Sequence, residues 1–152
     1  MSKRVNVVAA GMFQPILPLT LMCNWCKKDD ALPIFFAAQN GHAECLKLLL
    51  AAGGDVNKCN NNGVSPISIA AQTGHAECLK LLLDAGGDVN KCDNDGVSPI
   101  YIAADNGHAA CVKLLLASGA DPRSSWNGFS ALDVARRKLH AECARLLEAA
   151  LS

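Results

Sequence analysis

The chain has 152 residues, and its 14 Lys plus Arg balance its 14 Asp plus Glu, so its formal net charge at neutral pH is zero. That balance gives no electrostatic footprint for nucleic acid or an anionic membrane surface, and no apolar run reaches the ~18 residues of a spanning helix. The length suffices for one domain with a sizeable core. The expectations are therefore no nucleic-acid partner, no membrane association and a monomer.

Residues 1–30 lack the pattern that fills the rest of the chain. Ser2-Lys3-Arg4 and the apolar stretch after Val5 faintly resemble a secretory leader, but Pro15 and Pro18 interrupt it and no small-x-small cleavage site is evident. Asn24-Trp25-Cys26 stands 33 residues before Asn57-Lys58-Cys59 and 66 before Asn90-Lys91-Cys92. The segment thus reads as an eroded earlier unit, a degenerate N-terminal cap whose Phe13, Ile16, Leu17, Leu19 and Leu21 cover an open stack end. Cys23-x-x-Cys26 has metal-like spacing, but a structural zinc site wants a second such pair, and none is present.

From Ala31 onward the chain repeats itself. Gly-His-Ala-Glu-Cys-Leu-Lys-Leu-Leu-Leu occurs at 41–50 and again at 74–83, with a close relative at 107–116 and a looser one from His140. The histidines at 42, 75, 108 and 140 are spaced by 33, 33 and 32 residues, a period that signals stacked repeats. Between residues 33–59 and 66–92, 23 of 27 letters agree, and between 66–92 and 99–125 only 15 of 27 do. The array therefore decays toward one end, as a unit facing solvent on one side allows. The units fall at about 31–60, 61–93, 94–125 and 126–152, within one domain spanning 31–152.

Each unit reads as helix, turn, helix, loop. Ser65 is suited to cap the first helix, and Pro66 sits where its missing N–H costs nothing. Ile67, Ile69, Ala70 and Ala71 follow, and Gly74 supplies a left-handed stop. Cys78, Leu79, Leu82 and Leu83 give the second helix one broad apolar face, with Glu77 and Lys80 outside. Gly86-Gly87 end it, and Asp88-Val89-Asn90 and Asn94-Asp95-Gly96 carry turn chemistry. Helix pairs this short bury their apolar faces only by stacking on one another.

The string Ser-Pro-Ile-x-Ile-Ala-Ala-x-x-Gly-His-Ala-Glu-Cys-Leu-Lys-Leu-Leu-Leu-x-Ala-Gly-Gly-Asp-Val-Asn resembles the ankyrin repeat. The likeness spans Ala31 to Leu151 and recurs four times. It implies an all-α solenoid of stacked helix-turn-helix units with β-hairpin-like loops. Serine replaces the family's threonine at Ser65, Ser98 and Ser130, and Phe35, Ser68, Tyr101 and Asp133 replace its histidine. Pro122-Arg123 stands for Val-Asn in the third unit, beside a loop one residue shorter, so a distorted hairpin tip is expected there.

The titratable residues offer no catalytic centre. The periodic histidines fall one per unit, and the resemblance assigns them to the neighbouring turn. Cys45, Cys78, Cys111 and Cys143 lie on the apolar face of the second helices and read as small hydrophobes. Cys26, Cys59 and Cys92 sit near loop tips and should be more exposed. Stacked units hold equivalent residues about 10 Å apart, beyond the ~7 Å a disulfide tolerates between Cα atoms, so reduced thiols in the cytoplasm, with the nucleus as the alternative, are expected. Arg136-Arg137-Lys138 reads as a solvated helix end, with nuclear import or an acidic partner as the competing reading. No phosphate loop, paired carboxylates or Ser/His/Asp arrangement is present, so no cofactor, metal or enzymatic activity is expected.

The resemblance implies a protein-interaction module that binds an unidentified protein through the concave face, without catalysis. The alternative is a small inhibitor or regulatory subunit of an enzyme such as a kinase. The letters that vary at loop tips and first helices place the partner site on Tyr101, Trp126 and Phe129, rimmed by Asn94, Asp95 and Asp105, with Asn61, Asn62 and Gln72 in the preceding unit. Asn57 and Asn90 stand in Leu-x5-Asp-Val-Asn contexts, which resemble the sites favoured by asparaginyl hydroxylases; the competing reading is that they only satisfy turn backbone groups.

Overall fold

The structure, a computed structural model, describes residues 33–152. The expected cap at 1–30, and with it Cys23 and Cys26, lies outside the described residues.

Eight helices follow one another as four pairs among the described residues: α1 (Pro33–Asn40) with α2 (Ala43–Ala51), α3 (Pro66–Thr73) with α4 (Ala76–Asp84), α5 (Pro99–Asp105) with α6 (Ala109–Ala117), and α7 (Ala131–Arg137) with α8 (Ala141–Leu151). First helices pack on first helices and second on second along the array, so the molecule is a two-layer all-α solenoid. Its one strand pair among the described residues, β1 (Ser125–Trp126) with β2 (Phe129–Ser130), is an antiparallel hairpin in the loop before α7.

The serines start the first helices as expected. The Ser65 hydroxyl accepts the Ser68 amide at 3.1 Å, and that of Ser98 accepts the Tyr101 amide at 3.3 Å. Ser130 goes further: its hydroxyl accepts from the Asp133 amide while Asp133 Oδ2 accepts from the Ser130 amide, a complete capping box. Gly74 ends α3 at φ 81°, as the sequence suggests.

An internal first helix is surrounded on nearly every side. In α3 all six residues from Pro66 to Ala71 are buried, because α1, α5 and its own partner α4 each cover part of it. This corrects the expectation that Tyr101 lies open to a partner: it is buried at 6% exposure, as are Phe35 and Ser68 at the equivalent places, at 7% and 5%. The second helices bury one stripe only, Cys78, Leu79 and Leu82 in α4, with Leu83 half-buried.

The units are tied by a repeated pair of polar contacts. His108 Nε2 lies 3.1 Å from the Gln72 carbonyl and His140 Nε2 lies 3.2 Å from that of Asp105, so in each case the Nε2–H donates to the preceding unit. The histidine ring lies so close to the preceding glycine that a Cβ on Gly107 would stand 2.7 Å from the His140 ring. Asn57 Oδ1 accepts the Asp88 amide at 2.8 Å, and Asn90 Oδ1 accepts the Asp121 amide at 3.1 Å. These bonds pin each loop to the next.

Candidate functional site

A pocket lies between the third and fourth units. Its local cause is the shorter third loop. Asn127 and Gly128 both adopt positive φ, 56° and 85°, which is the backbone of a two-residue type I′ hairpin. The tip expected to be distorted is instead the one regular strand pair among the described residues, registered as Ser125 opposite Ser130 and Trp126 opposite Phe129. The Trp126-Asn127-Gly128-Phe129 sequence carried that signal, since Asn-Gly between strands is the strongest short hairpin cue.

The hairpin sets Trp126 and Phe129 side by side as a cross-strand aromatic pair, at 38% and 39% exposure. The Trp126 indole N–H donates to the Asp95 carbonyl at 2.8 Å, which anchors the hairpin to the previous tip. Its ring meets Tyr101 edge-on, with centroids 5.9 Å apart. Together they wall a solvent-open pocket of about 260 Å³ whose floor includes Val134 and whose rim includes Asp105, Arg137 and Lys138. Burial pushes the Tyr101 phenol above its ordinary pKa, and the Asp105 carboxylate pushes the same way, against Lys138 and Arg137.

Of the residues the sequence singled out, Tyr101, Trp126, Phe129 and Asp105 thus meet in one place. Tyr101 is a buried wall rather than an exposed anchor. Asn94 and Asp95 do not line the pocket; they join adjacent tips, with Asn94 Nδ2 donating to the Asn61 carbonyl at 3.3 Å and its amide to that of Asn62 at 3.0 Å. Asn61, Asn62 and Gln72 belong to the preceding unit and stay outside the pocket. Sequence alone undervalues Arg137 and Lys138, as parts of a solvated helix end. All three basic residues have partners: Arg136 pairs with Glu148, Lys138 Nζ lies 2.6 Å from Asp105 Oδ1, and the Arg137 guanidinium stacks 4.4 Å above the Phe129 ring.

No group of three or more His, Cys, Asp or Glu among the described residues is placed to hold a metal ion. The six described cysteines are unpaired; Cys45, Cys78, Cys111 and Cys143 are buried, while Cys59 and Cys92 are half-buried at the loops. Burial is the larger cause, and the neighbouring Cys143 the smaller, that pushes the Cys111 thiol up to about 11. Such a thiol is a poor nucleophile at neutral pH. No described helix is long and apolar enough to cross a membrane.

Three overlapping copies of the profile for ankyrin repeats match residues 7–93, 34–126 and 68–150. The chain belongs to the ankyrin repeat family. A solved structure of similar shape, the crystal structure of the human ASB11 ankyrin repeat domain, aligns with a TM-score of 0.72 and 37% identity, over 77% of this chain and 53% of that one. The chain therefore spans about half the length of that domain. No curated protein sequence matches it. Ankyrin repeats are general protein-interaction modules, typically non-catalytic scaffolds.

Proposed function

We propose that this ankyrin-repeat chain docks a protein partner on the side built from its hairpin tips and first helices, without catalysis, and that contact centres on the pocket between the third and fourth units. The observation that carries this reading is the pairing of Trp126 and Phe129, two exposed aromatics on a rigid I′ hairpin. Large rings with few rotors to freeze dominate binding hot spots. The family's general role in protein binding supports the reading. The buried thiols suit a reducing compartment, the cytosol or nucleus: Cys78 Sγ lies 3.9 Å from the Ala37 carbonyl of the preceding unit and packs there as a thiol.

The test is capture of partners by the full chain, by Phe129→Ala and by Leu48→Ala. Leu48, 40% exposed on α2, is the control for a lost apolar surface elsewhere. Proteins retained by the parent and the control but lost with Phe129→Ala support the site, provided the melting temperature holds. Equal retention by all three refutes it. Assaying any captured enzyme with and without the chain separates an inhibitor or regulatory subunit from a scaffold.

We also propose Asn57 and Asn90 as acceptors for an asparaginyl hydroxylase. Both side chains are exposed, and both carboxamides accept inter-unit hydrogen bonds, so the enzyme must open the loop to reach them. Arg123 occupies the equivalent place in the third unit and accepts no hydroxyl. Intact-mass analysis after incubation with such an enzyme decides: no added oxygen on either asparagine ends the idea.

A further inference from the structure

We propose that the pocket between the third and fourth units reads a peptide segment in which an apolar side chain stands directly beside a carboxylate. This rests on the docking role given above and adds the chemistry of the partner.

The size sets the first half. About 260 Å³ falls just below the ~300–1,000 Å³ of sites for small molecules, and suits one large side chain rather than the face of a helix. Trp126, Phe129, Tyr101 and Val134 supply the apolar half of the lining, which suits an apolar side chain, and Asp105, Asn127, Arg137 and Lys138 supply the polar half. The pocket floor is fixed by the cap of α7 and by the bond from Trp126 to Asp95, so little has to be ordered on binding.

Charge sets the second half. Three cations end α7, and two are already answered within the fold: Arg136 by Glu148 and Lys138 by Asp105. Arg137 has no carboxylate partner among the described residues. Its guanidinium carbon lies over the Phe129 ring, 4.4 Å from the centroid, and a ring face takes up the cation's charge without using its N–H donors. The rim thus presents one guanidinium fork that has an aromatic partner but no carboxylate, beside the apolar part of the lining. A carboxylate fits that fork in a bidentate way and matches its charge. A phosphorylated side chain, at about −1.5 to −2, asks for a second free cation, and the nearest one is held by Asp105 at 2.6 Å. The aromatic wall and the guanidinium belong to one pocket only about a side chain wide, so the apolar and acidic groups must come from adjacent residues of the partner.

The probe is an array of immobilised twelve-residue Gly/Ser peptides carrying one central pair: Phe or Ser followed by Glu, Gln, Lys or phosphoserine. The full chain is applied as the parent and as Arg137→Gln, each with its melting temperature recorded. The parent should bind the Phe-Glu peptide in preference to all others. Arg137→Gln should weaken that peptide by about tenfold, the size of one charge-assisted hydrogen-bonded contact, and should bind Phe-Glu and Phe-Gln alike. Tightest binding of phosphoserine, or binding of Phe-Lys as strong as Phe-Glu, overturns the proposal, as does a preference for Glu that survives Arg137→Gln. If no peptide binds while partner capture still depends on Phe129, the carboxylate reading is wrong and the docking site stands. If neither is seen, both fall.

Discussion

Leu139 offers the sharpest test of how the stack is built. It occupies the turn between α7 and α8, where the three preceding units have Gly41, Gly74 and Gly107. Those glycines take φ of 74°, 81° and 75°, and Leu139 is forced into the same backbone at 63°. An L side chain in this region costs about 1–2 kcal/mol. Gly107 must also lack a Cβ, because one would stand 2.7 Å from the His140 ring of the next unit. No described unit lays a histidine on Leu139, so its side chain is accommodated sterically while the backbone strain remains. At 87% exposure it gains almost nothing from burial in return.

Leu139→Gly should therefore stabilise the chain. Relief of about 1–2 kcal/mol is offset by about 0.5–1 kcal/mol for the greater freedom of glycine in the unfolded chain, leaving a gain of about 0.5–1 kcal/mol. Leu139→Ala keeps the strain and should change little. Gly107→Ala, the same turn one unit earlier, adds both the strain and the collision with His140, and should cost about 2–4 kcal/mol through strain and the lost hydrogen bond to Asp105. Urea unfolding followed by circular dichroism reads all three, with the slope checked because repeat arrays can lose two-state behaviour. If Leu139→Gly is no more stable than Leu139→Ala, the strain argument is wrong. If Gly107→Ala is tolerated, the histidine contact does not fix the spacing of the units.

Gly87→Ala should raise stability by about 0.5 kcal/mol if Ile67 yields: the new Cβ would stand 2.4 Å from the terminal methyl of that buried side chain, and the third unit accommodates Ala120 in the equivalent place, buried at 5%; a loss in urea midpoint refutes this. Asn90→Ala leaves the Asp121 amide without its acceptor and should cost about 1 kcal/mol, read as faster amide hydrogen exchange at Asp121. Alkaline pH should destabilise the fold. Thiols held above their usual value stay neutral in the folded chain while the unfolded chain ionises, so below pH 9.0 Cys111 contributes fully, and that contribution falls away between 9.0 and about 11. Cys111→Ala should flatten this part of a stability–pH curve, and an unchanged curve counts against the cause.

Much of the fold was legible because repetition fixes the environment of each letter. Ser65, Pro66 and Gly74 announce where α3 begins and ends through local chemistry alone, and the caps appear at those residues. The resemblance to the ankyrin repeat assigns the periodic histidines to the neighbouring turn, and His108 Nε2 meets the Gln72 carbonyl there. What failed was the inference from variability to exposure. Ser68 and Tyr101 differ between units yet are both buried, because position alone decides burial in a helix covered by neighbours on both sides, and several side chains satisfy it. A small serine in α3 and a large tyrosine in α5 can occupy equivalent places only if something else changes nearby.

That compensating change is what makes the candidate site. Tyr101 is accommodated in the unit that is followed by the shortened loop, where the I′ hairpin brings the Trp126 ring to 5.9 Å and turns it edge-on. The two preceding tips among the described residues keep a longer loop, closed by Asn60 or Asp93 accepting two amides from its own turn, and carry no aromatic pair. The basic end of α7 follows the same logic. Ala104 and Asp105 end α5 where Arg136 and Arg137 end α7, so the last described unit directs Arg137 onto Phe129 and Lys138 onto Asp105 of its neighbour. A reading of each letter against its own helix finds a charged terminus there, with nuclear import or an acidic partner as the competing reading, and does not say which of the three cations is left without a carboxylate. The partners that give those charges meaning lie in the hairpin before the helix and in the unit before that, so the site arises where the repeat departs from its own rule.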